Sequence, residues 1–252
     1  MGFEYLTNVP LVKAREEYDA LVVAAEEQAK REEAIAEVEA LIAEITAVDL
    51  ENADKIDAAK DAYDALPDED KAKIEKGSEL SGMAETVKAL KEEKGKELLS
   101  KMRVDEDKVR GLSFYYPSAW KFYSDGYWAA DQRCFVLPYI GEQNGTYWMR
   151  LVFNYTDDDW VFFEKITIAA DDERFYEYFS YYDVTRDNGG GDVWEYVDME
   201  VGASEIEMLW AIANSEETII RFEGDDYYRD FTVSASDKQS IKAALEAYEA
   251  VA

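Results

Sequence analysis

Histidine is absent from this chain of 252 residues, and cysteine occurs once. Without histidine there is no imidazole to serve as general base near neutral pH or as a zinc ligand. The Ser-His and Cys-His nucleophile pairs are excluded as well. A single cysteine, Cys134, rules out an intrachain disulfide. Its neighbours Phe135, Val136 and Leu137 mark it as a small buried residue of a packed strand, not a reactive thiol. Catalysis, if any, would rest on carboxylates, tyrosine, lysine or a bound metal. Bases are scarce: 27 Lys and Arg stand against 57 Asp and Glu, a net charge of −30. The deficit is shared, with 26 acids and 15 bases in residues 1–104, leaving 31 and 12 in residues 105–252. Such a surface repels nucleic acid and anionic lipid, whose binding depends on Lys and Arg displacing counterions. It leaves divalent cations, basic partners or simple solubility. No run approaches the ~18 apolar residues of a membrane span. Met1–Pro10 has neither a basic start nor an apolar stretch, so no export signal is read within the given chain.

What is present divides near residue 104. Only four of 35 aromatic residues (Phe3, Tyr5, Tyr18, Tyr63) precede that point, and all six tryptophans follow it. The first part is Ala/Glu/Lys-rich. Leu11–Ile45 contains neither Gly nor Pro, and Leu21, Ala24, Gln28, Arg31, Ile35, Val38, Ile42 and Ile45 recur at steps of three and four. That is the seam of a long helix packed on a neighbour, polar at Gln28 and Arg31. A second helix is expected after Asn52, with Ile56, Ala59, Tyr63 and Leu66 inward and Pro67 ending it. Asp68 then caps a short helix carrying Ile74, with Gly77 closing it. A third long helix starts near Gly82, with Met83, Val87, Leu90, Leu98 and Met102 on one face. These elements predict an all-α antiparallel bundle over residues 1–104.

Four stretches carry a resemblance, two in each part of the chain. Ala34–Ile45 (AIAEVEALIAEI) and Ile56–Ile74 (IDAAKDAYDALPDEDKAKI) resemble small helical modules in surface proteins of Gram-positive gut bacteria. The resemblance implies a spacer or interaction module without catalysis. Such modules usually carry a Thr-Pro cap after the leucine; here Leu66-Pro67-Asp68 lacks the threonine. Tyr181–Asp198 and Glu217–Ala250 resemble the ends of uncharacterised secreted proteins and lipoproteins of the same bacteria. That likeness implies an extracellular or cell-surface location and brings no known activity.

Residues 103–110 are charged and read as the joint between domains 1–104 and 105–252. Beyond them the period changes to two. Strands are expected at Phe135–Ile140, Thr146–Tyr155, Trp160–Ile168, Arg174–Val184 and Val193–Met199, and in a hairpin of Thr218–Phe222 with Tyr227–Val233. Met149, Leu151 and Phe153 fall on one face of their strand, and Trp148, Arg150, Val152 and Asn154 on the other. Helices are expected at Ala203–Asn214 and from a Ser236/Gln239 capping box to Val251. The class predicted for residues 105–252 is α+β, a mostly antiparallel sheet, or two packed sheets, covered by two helices.

Three constellations bear on chemistry. The loop holding Asp183, Asp187, Asn188 and Asp192 offers several oxygens beside a triple glycine, which suits calcium. The same loop suits a Gly-rich hairpin connection, and its spacing is not that of an EF-hand. Aromatic residues crowd Phe114–Trp128. There Tyr115, Tyr123 and Tyr127 are candidates to stack on a glycan or protein ligand, against the alternative that such rings fill a core. Paired carboxylates would serve a glycan or peptide hydrolase, but with 57 acids some pair meets that criterion by chance. The expectation is therefore a non-enzymatic recognition protein presented by a helical spacer. Hydrolysis, or homodimerisation through the N-terminal helices, are the alternatives.

Overall fold

The computed structural model describes the backbone of residues 9–117, 121–122 and 129–252. It opens with α1 (Val9–Ala43), followed by α2 (Ala53–Asp64), the single turn α3 (Asp68–Lys71) and α4 (Leu80–Leu99). The chain divides into two compact units between Lys91 and Glu92, inside α4, and not at residue 104. The reason lies on the helix itself. Leu99 is buried in the core of the second unit, and a β-carbon at Gly95 would sit 2.3 Å from the Val251 side chain. Glycine suits this close approach, since a side chain there would have to displace Val251.

In the first unit the expected α1 seam packs only from Arg31 onward, and its earlier positions Leu21, Ala24 and Gln28 are exposed. Val38 is buried with Leu66 and Ile74, and Ala34, Ile35 and Ile42 pack around them. Ala53, Ile56 and Val87 form a second cluster with Ile45, Met83 and Ala84. The polar seam position Arg31 grips a carboxylate: its Nε donates to Asp70 Oδ2 at 2.6 Å and its Nη2 to Asp70 Oδ1 at 2.8 Å. Lys73 Nζ adds 2.7 Å to Oδ1, and Asp70 is fully buried. Hydrogen bonds from Arg31 and then Lys73 hold the Asp70 carboxyl down to about 2, against the penalty of burial. Because the folded value lies below the unfolded one, this stabilisation is complete above about pH 4 and lost as pH falls through 2. Asp70→Asn is thus expected to lower the thermal midpoint of the helical unit at pH 7. The gap from wild type should close between pH 4 and 2, followed by helical circular dichroism. Among the described residues α1 has no such partners towards its start: Lys13–Lys30 are exposed, including Tyr18, Leu21 and Val23.

The second unit contains two sheets. The larger has six strands in the order β1-β2-β3-β4-β8-β7: β1 (Arg103–Asp107), β2 (Leu112–Tyr116), β3 (Phe135–Gln143), β4 (Thr146–Asp157), β7 (Thr185–Gly189) and β8 (Asp192–Glu200). The smaller has four, ordered β10-β9-β5-β6: β5 (Lys165–Ala170), β6 (Glu173–Tyr178), β9 (Thr218–Glu223) and β10 (Tyr228–Thr232). Among the described residues every strand pair is antiparallel. The helices α5 (Ala203–Asn214) and α6 (Ala235–Val251) complete an α+β unit. The charged joint expected at 103–110 is the edge strand β1 with its turn. Its Arg-Val-Asp-Glu-Asp sequence suits an edge, where charge discourages further strand pairing.

Alternation along β3 and β4 serves two cores. Val136, Ile140, Met149, Leu151, Phe153 and Tyr155 join Ile166, Ile168, Ile220 and Phe222 of the smaller sheet. Met208, Leu209 and Ile212 of α5 and Ile241, Ala244 and Leu245 of α6 complete this core. The opposite face collects Tyr116, Phe135, Leu137, Tyr139 and Val152. There Tyr139 donates to Asp198 Oδ2 at 2.8 Å, and Arg150 Nε holds Oδ1 at 2.8 Å. Cys134 is half-buried and exchanges hydrogen bonds with the Thr156 backbone; burial pushes its thiol up, which keeps it inert. The cap of α6 is Ser234, whose hydroxyl accepts from the Asp237 amide at 3.1 Å, and not Ser236. Asp237, buried in the first turn, takes Arg133 in two bonds of 2.8 Å.

The expected strand Trp160–Ile168 begins only at Lys165. Its first half is a loop folded around a buried carboxylate. Glu195 Oε1 accepts from the Val161 and Phe162 amides, both at 2.7 Å, and Oε2 from Phe163 at 3.0 Å. Arg186 Nε adds 3.1 Å to Oε2. Consecutive amides turned towards one anion form a nest, and Phe162 accordingly adopts φ +54°.

Candidate functional site

The outer face of the smaller sheet is a grid set by strand register. Tyr178, Lys165, Glu223 and Tyr228 form one row across β6, β5, β9 and β10. Tyr176, Thr167, Arg221 and Asp230 form the next, and Arg174, Ala169, Ile219 and Thr232 the third. On the inner face Phe175, Ile166, Ile168, Ile220, Phe222 and Phe231 pack into the core, so the alternate set faces away from it. A groove of about 420 Å³ runs over the grid. Successive residues on one face lie about 6.8 Å apart along a strand and about 4.8 Å across strands. Tyr178 and Tyr228 therefore stand about 14 Å apart at the two ends of the first row, beside the groove that Tyr176 lines.

The rings stay out of the core. Tyr176 is 53% exposed, Tyr178 71% and Tyr228 57%. Cations order them: Lys165 Nζ lies 5.4 Å from the Tyr176 centroid, and the Arg221 guanidinium 4.2 Å from that of Tyr228. Between the rings the charges are paired. Arg221 grips Asp230 through bonds of 2.6 and 2.7 Å, which hold the Asp230 carboxyl below its usual range. Lys165 lies 3.0 Å from Glu223, which also accepts from Thr167. Burial pushes Glu223 up, but these hydrogen bonds outweigh it and the net direction is down. Both carboxylates are ions at neutral pH. The arrangement offers flat rings for stacking and oriented donors and acceptors between them.

The other candidates fall elsewhere. Tyr115 lies half-buried on β2, opposite Ile140, and packs against the main core; burial, then Glu142, pushes its hydroxyl up. Tyr123 and Tyr127 lie outside the described residues. The loop considered for calcium is the β7–β8 hairpin. Its register places Asp187 and Asp192 on one face and Asn188 on the other. Gly190 and Gly191 supply the positive φ of the turn, at +67° and +108°. Asp183 is turned away to the Ser180 amide at 2.8 Å. The four do not converge, and no group of three carboxylates able to hold a metal occurs among the described residues. For hydrolysis, among the described residues Glu177 is the carboxylate whose proton is held more tightly, by burial and then by Glu205. Glu205, however, is engaged by the Gly202 amide at 2.6 Å at the start of α5, and neither lines the groove.

The outer tyrosines were missed because strand propensity does not say which face packing leaves uncovered; separately, the strand ends at Tyr178 and not at Val184. A signal was present: Arg174, Tyr176 and Tyr178 alternate with Phe175, the pattern of a half-buried strand with aromatic residues outward. Among the described residues no helix is long and apolar enough to cross a membrane. Comparison with protein-family models, with curated proteins and with solved structures gives no match.

Proposed function

We propose that this chain is a non-enzymatic recognition protein that binds a saccharide on the outer face of its four-stranded sheet. Its N-terminal helices act as an antiparallel bundle and spacer. The observation that carries the reading is a groove lined by exposed Tyr176 with Thr167, Lys165, Arg221, Glu223 and Asp230, on a sheet face that also bears exposed Tyr178 and Tyr228. Tyrosines held at a surface supply rigid contact area at low entropic cost, and charged neighbours orient the sugar hydroxyls. The likeness of the helical and C-terminal text to exported bacterial proteins supports a secreted or cell-surface setting.

A saccharide and peptide array probed with the full chain tests this. Saccharides are expected to bind, and the double variant Tyr178→Ala, Tyr228→Ala to lose about tenfold or more in affinity at an unchanged thermal midpoint, a difference of ~1.4 kcal/mol. Peptide binding alone, or undiminished binding by the double variant, sinks the reading.

A further inference from the structure

The groove has a charge bias opposite to that of the molecule. Against a net charge of −30, the twelve outer positions of the grid hold three bases (Lys165, Arg174, Arg221) and two acids (Glu223, Asp230), a local balance of +1. Lys165 and Arg221 are matched by the two acids. Arg174 is not: among the described residues no carboxylate comes within salt-bridge distance of it. One terminal nitrogen donates to the carbonyl oxygens of Asp171 at 2.7 Å and Glu173 at 2.6 Å, which anchors the guanidinium. The rest of the fork has no protein acceptor among those residues. Two of the neighbouring acids are committed or turned elsewhere. The Asp171 carboxylate holds the Glu216 and Glu217 amides at 3.0 and 2.9 Å, and Glu173 sits opposite Ala170, on the other side of the strand.

An anchored, exposed guanidinium beside an aromatic ring is a site for a planar anion. Arg174 and Tyr176 are two residues apart on β6, about 6.8 Å, the reach of a substituent on a ring stacked over the tyrosine. Its other neighbours on the grid, Ala169 and Ile219, carry no charge to compete. At physiological salt the screening length is about 8 Å, so a ligand in the groove responds to these local charges and little to the molecule's net charge.

Resting on the saccharide reading above, we infer that the ligand is an acidic saccharide, its ring on Tyr176 and Tyr178 and its anionic group on Arg174. Isothermal titration of the full chain tests this with oligogalacturonate, its methyl ester and a sulfated galactan oligomer free of carboxylate. One of the two anionic ligands is expected to bind at least tenfold more tightly than the ester. Arg174→Gln should erase that preference without changing the affinity for the ester or the thermal midpoint. Which anion wins tells carboxylate from sulfate. Equal affinity for anionic and neutral ligands, or a preference that survives Arg174→Gln, overturns the inference; tyrosine-dependent binding of the ester would then leave the saccharide reading standing. Binding of no saccharide overturns both.

Discussion

Replacing Glu195 with glutamine is expected to destabilise the β-rich unit by about 3–5 kcal/mol, the usual cost of removing one partner from a buried charged cluster. The geometry says why an isosteric change is so damaging. Oε1 and Oε2 each accept two hydrogen bonds, from three backbone amides and the Arg186 guanidinium. A glutamine keeps one acceptor atom and replaces the other by an NH2 group. That group would point at N–H donors whichever way the amide is flipped. The Arg186 charge, only 10% exposed, would also lose its counter-ion. For a unit of this size the change corresponds to about 10 °C in thermal midpoint. Urea unfolding followed by tryptophan fluorescence reads it directly. A loss below 1 kcal/mol would show that the nest is a passive contact. Arg186→Met in the Glu195→Gln background should then cost less than the two single changes added together, because the charge and its partner leave at once.

The second large effect is expected at Gly224, on the far side of the same loop. A β-carbon there would lie 2.1 Å from the Val161 carbonyl oxygen and 2.9 Å from that of Phe162. These atoms cannot yield, because the amides of the same segment are fixed on Glu195 and the Glu164 amide bonds the Glu223 carbonyl at 2.9 Å. Gly224→Ala should therefore cost about 3 kcal/mol, at the upper end of overpacking penalties. It should also displace the β9–β10 turn that carries Tyr227 and Tyr228. Limited proteolysis at that turn and the thermal midpoint check the two consequences separately. A neutral substitution would mean that the loop follows the turn as it moves.

Much of the fold was legible because period and composition agree over long runs. The α1 seam from Arg31 onward, the split faces of β4 and the helices α5 and α6 all follow from spacing. Three kinds of feature did not. The boundary was set at a change of composition, whereas the packing boundary follows Gly95 and Leu99, whose partners lie far along the chain. The Trp160–Phe163 stretch reads as strand by its aromatics, but the carboxylate that bends it is Glu195, more than 30 residues on. The third is the outer tyrosines, since β-strand propensity says that a ring suits a sheet and is silent on which face is left uncovered. Exposure is decided by what packs opposite, and that is a tertiary fact.

The bare start of α1 has a consequence for motion. Between Lys13 and Lys30 the helix has solvent on every side, so its hydrogen bonds stand on intrinsic propensity alone. From Arg31 onward each turn is held by Asp70, Val38 or Ile42 against its neighbours. One unbroken helix thus contains two opening regimes. Amide exchange should be fast at Tyr18, slow at Val38, and should change over within about two turns of Arg31, which makes that ion pair the point where fraying stops.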